Sequence, residues 1–301
     1  MVTAVTVVSN NSNRTRIMWL ARVLWVTTPL SAGAVIDDAL ADWSDAGRTL
    51  AIVLLFACWA IGITSLLTPR PRSFTALRVV APVLLAATVA SSSATLGSLL
   101  ATAHIAITTG LVLSSWVADA CTDGASYGPE RRVPLRIPPP FALLVVPGSV
   151  VVVTAGLSVG PLLLGDGRWA IGAVVTALGI PIALAALRSL ISLERRFVVL
   201  VPAGVVVSDS LVLVDPVLIP REHVVAMRET EDPMRGVPTQ RAGELDLRFG
   251  LRHGIEILTD APAPIPCRDG RRDSRTVDVQ RILCAPVSPA VILEEWRRRG
   301  R

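Results

Sequence analysis

Long apolar stretches dominate the first 190 residues of the chain, and short polar gaps separate them. A helix needs about 20 apolar residues to cross a hydrocarbon core of roughly 30 Å. The pattern therefore predicts six transmembrane helices, with a tight turn at Ser91–Ser93 that divides the third from the fourth. Their predicted bounds are Ile17–Ile36, Thr49–Leu67, Phe74–Ala90, Leu96–Val117, Phe141–Leu164 and Trp169–Leu187.

After Arg196 the apolar runs become short, and turn-forming residues such as those of 202–204 and 229–243 separate them. Short runs of this kind, bounded by Pro, Gly, Asp and Ser, are typical of β-strands. Seven strands are predicted: Phe197–Val201, Val205–Ser208, Leu211–Val214, Val224–Arg228, Leu245–Phe249, Ile255–Thr259 and Val277–Leu283.

A single helix is predicted after the last strand, with Ser288 as its N-cap. Ile292 and Trp296 are spaced to face the same side of this helix and pack on the sheet. We therefore predict an α-helical membrane bundle of six helices over residues 1–190. A small β-barrel-like cytosolic domain with a C-terminal helix should follow over residues 191–301.

Arginine asymmetry between successive gaps predicts the orientation, because cytoplasmic loops of membrane proteins are enriched in Lys and Arg. The first gap holds four Asp against Arg48, the third has no charge, and the fifth has Arg168 alone among basic residues. The sequence thus predicts a multi-pass protein of the cell membrane with both termini in the cytoplasm. The basic segments hold Arg14 and Arg16; Arg70, Arg72 and Arg78; Arg131, Arg132 and Arg136; and Arg188, Arg195 and Arg196.

A cleaved signal peptide remains an alternative for the first apolar segment. Val23–Leu30 would be its apolar core and Ala32–Ala34 its small-residue cleavage site. Cleavage would leave the other five spans oriented as before.

Composition adds three constraints. The chain has 301 residues, 51% of them hydrophobic, and a mean hydropathy of +0.57, which is too apolar for an ordinary soluble domain. Its high pI of about 9.8 suggests nucleic acid, but residues 188–301 carry 18 Arg against 16 acidic residues, a mixed rather than one-signed surface. We therefore expect no nucleic-acid partner.

The four cysteines show no metal-binding spacing, so we expect reduced, structural thiols.

Ionisable residues within the spans are the usual markers of transport or catalysis, and here they are scarce. His104 is the only one near a predicted midplane, and Thr108 lies four residues later on the same helical face. These two residues form the candidate intramembrane polar site. Its functional interpretation is a proton relay or ligand contact, whereas its structural interpretation is a neutral histidine bonded to a neighbouring helix. Gly156 and Gly160 favour close helix packing within the chain.

The loop before the fifth span contains the only tyrosine, Tyr127, together with Arg131, Arg132 and Arg136. These are the candidate contacts for anionic lipid headgroups or for docking of the C-terminal domain. A third interpretation, catalysis by Asp119 with Asp123 and Tyr127, has no supporting nucleophile or metal pattern.

Two resemblances extend these predictions. Pro202–Val207 and Asp215–Arg221 resemble the opening strands of a pleckstrin-homology domain. The chain as a whole is similar to a family of uncharacterised actinobacterial multi-pass membrane proteins, which implies the same architecture and brings no known activity. The stretches that carry this second resemblance are 67–71 with 75–80, 123–136, 201–207 and 215–221.

Three functions remain open from sequence. The favoured one is a non-enzymatic membrane protein whose cytosolic domain binds a protein partner or lipid headgroups, with no catalytic residue, cofactor or metal. The second is a transporter or channel for a small solute, with His104 and nearby hydroxyls as its polar path. The third is a membrane enzyme acting on lipids, for which Asp119 and Asp123 are the only candidate acid pair.

Overall fold

The computed structural model describes residues 15–231, 243–270 and 273–300. Within these, the chain forms two compact units. The helical unit comprises residues up to Gly124 and Val146–Leu190, and the β unit comprises Ala125–Val145 and the chain from Ile191 onward. Arg14, Arg301 and most of the predicted turn stretch 229–243 lie outside the described residues.

Seven helices precede the second part of the β unit, and most begin or end close to the predicted bounds. Five helices are long and apolar enough to cross a membrane. The predicted turn at Ser91–Ser93 is confirmed, since α3 ends at Ala90 and α4 begins at Leu96. The helices are α1 Thr15–Ala39, α2 Asp45–Leu67, α3 Pro71–Ala90, α4 Leu96–Val112, α5 Ser115–Asp123, α6 Val146–Gly165 with a preceding π-turn at Phe141–Val145, and α7 Trp169–Leu193.

The fourth predicted span is not one straight helix, which corrects the predicted bounds Leu96–Val117. Helix α4 ends at Val112, and α5 continues from Ser115 at an angle of 47°. The Ser114 N–H bonds to the Leu111 carbonyl three residues back, which tightens and ends α4. The helices that are long and apolar enough to cross a membrane therefore number five, or six if α4 and α5 together form one span.

Glycines bring α6 and α7 into close contact, as their spacing predicts. A Cβ added at Gly156 would lie 2.5 Å from the Gly179 carbonyl oxygen, and one at Gly160 would lie 2.3 Å from the Thr176 hydroxyl. Either added methyl group would force the two backbones apart. The prediction that these glycines serve intrachain packing is confirmed.

The β unit contains two four-stranded sheets, and among the described residues they do not close into a barrel, which corrects the predicted barrel-like architecture. The first sheet has the order β1-β2-β3-β4 and the second the order β5-β7-β8-β6, in which β6 and β8 are parallel. The strands are β1 Arg131–Pro134, β2 Phe197–Val201, β3 Gly204–Ser208, β4 Val217–Pro220, β5 Val224–Glu231, β6 Gly243–Asp246, β7 His253–Asp269 and β8 Asp273–Cys284.

Strand β1 comes from the loop before the fifth predicted span, a segment that the sequence pattern places in the membrane domain 1–190. It pairs antiparallel with β2, with Val133 opposite Val198, and both side chains are fully buried. Bonds on its other side join Arg136 and Pro134 to residues 285–287 after β8. Residues 125–145 therefore belong to the β unit, and the chain enters that unit again at Ile191.

Two of the seven predicted strands are absent or shorter in the structure. Residues 211–214 form a turn with one isolated bridge, Leu213 to Cys267, because the Asp209 carboxylate and carbonyl bond to the N–H groups that follow and close that turn. The strand predicted over Leu245–Phe249 ends at Asp246, since Phe249 has φ +54°, which is incompatible with a strand.

The predicted C-terminal helix is confirmed as α8, Pro289–Arg299, with Ser288 at its N-cap position. Ile292 and Leu293 belong to the core between the sheets, and Trp296 packs against it. The Arg221 guanidinium lies 4.4 Å from the Trp296 ring and covers its other side.

Candidate functional site

A proline interrupts α1 and creates a polar seam inside the helical unit. Pro29 has no N–H, so the Trp25 carbonyl lacks its usual donor four residues later. The Thr28 hydroxyl at 2.8 Å and the Trp59 indole N–H at 3.1 Å donate to that carbonyl instead. The Trp25 carbonyl oxygen, which lacks a donor within the helix, thereby accepts one hydrogen bond from α1 and one from α2.

The Trp25 indole makes the reciprocal hydrogen bond to Trp59. Its N–H donates to the Trp59 carbonyl at 2.9 Å, and its ring is 1% exposed. A Cβ added at Gly62 would lie only 2.0 Å from the Trp25 ring, so the glycine gives the indole its space. Two reciprocal hydrogen bonds and one close glycine contact thus fix the crossing of α1 and α2.

His104 reaches this seam from α4. Its Nδ1 lies 2.6 Å from the Ser31 hydroxyl, and its Nε2 lies 3.2 Å from the Leu24 carbonyl and 3.3 Å from the Thr27 hydroxyl. A carbonyl only accepts, so Nε2 carries a proton and donates toward Leu24. The Ser31 hydroxyl lies between Nδ1 and the Thr28 carbonyl, 3.1 Å away, so both ring nitrogens have a polar partner.

Thr108, the other residue of the predicted intramembrane site, does not contact the imidazole through its hydroxyl. That hydroxyl donates to the His104 carbonyl at 2.8 Å, within the same helix, and the residue is buried. The true partners of His104, Thr27 and Ser31, lie in α1 and were not predicted. The Thr-Thr-Pro sequence at 27–29 was the signal that could have drawn attention to them.

Beside the seam, α1, α2, α3 and α4 enclose a crevice of about 320 Å³. Its walls are apolar, and they include the aromatic pair Phe56 and Trp59, whose ring centroids lie 5.0 Å apart. Asp37 is the one charged residue among those that line it, and its carboxylate bonds to the Arg48 guanidinium at 2.7 Å. A pocket of this size and lining suits a small apolar ligand with one polar end.

The candidate contacts in the loop before α6 divide into two groups. Tyr127 is 85% exposed, and its backbone N–H donates to the Glu130 carboxylate, which also pairs with Arg132 at 3.1 Å. Arg132 lies over the Phe197 ring, and Arg131 is half-buried in β1. Arg136 lies beyond β1 with an exposed side chain. The structure therefore brings Tyr127 and Arg132 together through Glu130, and Arg136 lies apart from them in the chain beyond β1.

A buried ion pair in the β unit was not predicted. The Arg196 guanidinium bonds twice to the Asp209 carboxylate, at 3.0 and 2.8 Å, and both side chains are at most 1% exposed. Its remaining donors reach the carbonyls of Arg136 and Leu247. The pair thereby joins three separate chain segments. Nothing in the local sequence distinguishes Arg196 from its exposed neighbour Arg195.

A second charged cluster crosses the β5-β7-β8-β6 sheet. Glu256 accepts from Arg228 at 2.9 Å and from Arg281 at 2.6 Å, and Arg281 also pairs with Glu244. Burial alone would raise the pKa of the Glu256 carboxyl, but the hydrogen bonds and charges of Arg228 and Arg281 outweigh it and hold that pKa below its ordinary value. The cluster is a cross-strand ladder of alternating charge.

A groove of about 250 Å³ lies between β4 and the bulge at 259–262 of β7. At its rim the His223 Nδ1 lies 3.1 Å from the Asp260 carboxylate. The Arg221 N–H bonds to the Ala203 carbonyl. The backbone N–H and C=O groups of odd-numbered residues in β4 therefore point toward β3, and those of even-numbered residues point to the open edge. Pro220 therefore presents no N–H on the open edge, which disfavours addition of another strand there.

The described residues contain no group of three His, Cys, Asp or Glu side chains that could hold a metal ion. All four cysteines are free thiols, and Cys121, Cys267 and Cys284 are at most 2% exposed. Burial raises the pKa of the Cys284 thiol to about 12, which suits a structural role. No protein-family model, curated protein or solved structure matches the chain.

Proposed function

We propose that this chain is a multi-pass protein of the cell membrane that serves as a membrane-anchored interaction protein, without catalytic activity of its own. Its β unit, with the termini, lies on the cytoplasmic side and binds a protein partner or lipid headgroups. Two four-stranded sheets followed by a packed helix support a pleckstrin-homology-like use of this unit.

The observation that carries the proposal is the insertion of β1 into the first sheet. The chain passes between the two units at 124/125, 145/146 and 190/191, so three helix ends connect to one β unit. If α5, α6 and α7 belong to the last three crossings, these ends lie on one face of the membrane, the face that the arginine asymmetry also predicts as cytoplasmic.

Exposed arginines next to the helix ends support contact with anionic headgroups. Arg136 lies five residues before the Phe141 turn, and Arg195 lies two residues after the end of α7. Both are exposed, and within the described chain neither side chain has a polar partner. An arginine near an anionic leaflet contributes about 1 kcal/mol to attraction.

Tyr127 offers the best position from which to detect a partner, because it is exposed and belongs to the β unit. A photo-crosslinking amino acid at position 127 in the full-length protein, in native membranes, should yield a reproducible protein or lipid adduct. The same amino acid at Asp273, an exposed residue at the start of β8, is the matched control. Absence of any adduct at Tyr127 above the level at Asp273 would contradict the proposal.

The headgroup contact can be measured separately in lipid nanodiscs. Anionic lipid should raise the melting temperature of the wild-type protein more than that of the double variant Arg136→Ala, Arg195→Ala. Arg252→Ala, another exposed arginine of the β unit, should behave like the wild type. An equal response of all three proteins would exclude the headgroup role for Arg136 and Arg195.

Transport is the weaker hypothesis. A proton relay needs a partner that exchanges protons, whereas both nitrogens of His104 are occupied by a hydroxyl and a carbonyl that hold the ring between α1 and α4. His104→Ala should therefore lower the melting temperature without removing a solute flux.

A further inference from the structure

The crevice of the helical unit offers almost no polar group to an occupant. Its walls include Ile36, Ile52, Phe56, Leu84 and Ile105. Two hydroxyls line it as well, but each is already committed: Thr28 donates to the Trp25 carbonyl, and Thr88 donates to the Leu84 carbonyl, both at 2.8 Å. Most of any occupant must therefore be hydrocarbon.

The charge at one end of the crevice is negative. Asp37 is its only charged lining residue, and the segment 37–48 contains four Asp against Arg48. The Asp37 and Arg48 side chains are 51% and 38% exposed, so solvent screens their pair and a second cation can replace the guanidinium at little cost. An anionic headgroup, in contrast, would meet uncompensated carboxylates.

Aromatic rings add to this preference. Phe56 and Trp59 both line the crevice, and the Trp59 N–H is already used by the Trp25 carbonyl. The negative faces of such rings attract organic cations, most strongly where water is excluded. Carboxylate and aromatic pair thus favour the same sign of charge on a ligand.

We propose that this crevice binds a hydrophobic cation: an amphiphilic amine or quaternary ammonium whose hydrocarbon part lies among the helices and whose positive group replaces Arg48 at Asp37. The site belongs to the helical unit alone. It therefore stands or fails independently of a partner for the β unit.

Binding can be measured with tritiated decyltrimethylammonium and the full-length protein in phosphatidylcholine nanodiscs. Saturable binding should be displaced by unlabelled decyltrimethylammonium, whereas decyl sulfate and decanol, with the same chain length, should displace it poorly. Equal displacement by all three would overturn the proposal and make the crevice a general acyl-chain groove.

Four variants assign the site. Asp37→Asn should weaken binding of the probe by about tenfold or more, while Asp38→Asn, the adjacent carboxylate that does not line the crevice, should leave it unchanged. Arg48→Ala removes the competing cation and should tighten binding, a direction that mere loss of structure does not produce. Gly33→Leu places a side chain in the crevice, where an added Cβ meets no atom within 4 Å, and should abolish binding.

Gly110→Leu is the matched control for Gly33→Leu, because Gly110 also lies in a helix with open space around it but does not line the crevice. Unchanged affinity in both Asp37→Asn and Gly33→Leu, with normal melting temperatures, would refute the site. Should Gly33→Leu fail to fold, the opposite responses of Asp37→Asn and Arg48→Ala still decide the question.

Discussion

At the scale of single residues, Trp25 determines how α1 and α2 cross. Gly62→Ala would place a methyl group 2.0 Å from its ring carbon, and the indole is buried and held by its N–H bond to the Trp59 carbonyl. Overpacking of this kind costs about 1–3 kcal/mol. We expect a lower melting temperature of the full-length protein, followed by near-ultraviolet circular dichroism. Gly110→Ala is the control and should change little, since its added Cβ meets nothing within 4 Å; equal melting of the two variants would contradict the role of Trp25.

The buried pair of Arg196 and Asp209 sets the stability of the β unit. Asp209→Ala leaves a guanidinium without its counter-charge in a fully buried position, a change that costs about 3–5 kcal/mol. Cys284 reports on the opening of this unit, because its thiol is fully buried and its pKa is raised to about 12. We expect maleimide labelling of Cys284, measured by mass spectrometry, to become roughly 10²-fold faster or more.

Arg298→Ala is the control for that experiment. It removes a surface pair with Glu295 in which the arginine is 66% exposed. Labelling of Cys284 should then change by less than about threefold. A similar rate in Asp209→Ala and Arg298→Ala would show that the buried pair does not hold the unit closed.

The two most connected residues illustrate what a sequence reveals about sites. His104 could be found because an ionisable residue within an apolar run is conspicuous. Its partner Ser31 lies 73 positions away and is one of many hydroxyl residues in the helices. Arg196 could not be distinguished from Arg195, because burial depends on the path of the folded chain rather than on local pattern.

At the scale of elements, the groove between β4 and β7 has a pH-dependent rim. Hydrogen bonding to Asp260, and then its charge, raises the pKa of His223 above its ordinary 6.5, and the same hydrogen bond lowers the pKa of Asp260 below 3.8. The stabilisation that the pair gains from protonated His223 is complete below pH 6.5 and is lost as the pH rises through the raised pKa of His223. The part from Asp260 is lost as pH falls through its lowered pKa.

This window can be measured by nuclear magnetic resonance, since the chain has only three histidines and His223→Gln identifies the signal. We expect His223 to titrate above 6.5 in the wild type and to return toward 6.5 in Asp260→Asn. Glu222→Gln is the control with a small effect, because its carboxylate lies 3.9 Å from the ring and makes no hydrogen bond to it. Identical titration in the wild type and Asp260→Asn would rule out the pair.

Strand β1 shows why some elements escape prediction from local sequence. Residues 131–136 contain three arginines and a proline, a composition that indicates a basic loop. The segment becomes a strand because β2, more than 60 residues later, supplies its partner. The Leu135 N–H bonds to the Arg196 carbonyl, so the backbone groups of odd-numbered residues point toward β2. The backbone nitrogen of Pro134 points away from β2, and the strand therefore loses no bond to β2 through the missing N–H of the proline.

At the scale of the whole molecule, apolar pattern and connectivity predict different things. Long apolar runs indicate where helices form, and most helices agree with the prediction within a few residues. The grouping of 125–145 with the β unit depends instead on pairing between distant segments. For that reason the sequence pattern predicts one boundary between the units, whereas the folded chain passes between them three times.

The proposed orientation can be tested with single cysteines and a membrane-impermeant maleimide on intact cells. Tyr127→Cys should react only after permeabilisation, because Tyr127 belongs to the β unit, which we propose to be cytoplasmic. Asp42→Cys and Asp166→Cys should react in intact cells. The native thiols give a low background, since three are at most 2% exposed and Cys58 is half-buried within α2. The unmodified chain is therefore a sufficient control.

Labelling of Tyr127→Cys in intact cells would reverse the orientation. Labelling of Asp42→Cys and Asp166→Cys under different conditions would mean that α2 to α6 cross an odd number of times, which six spans do not allow.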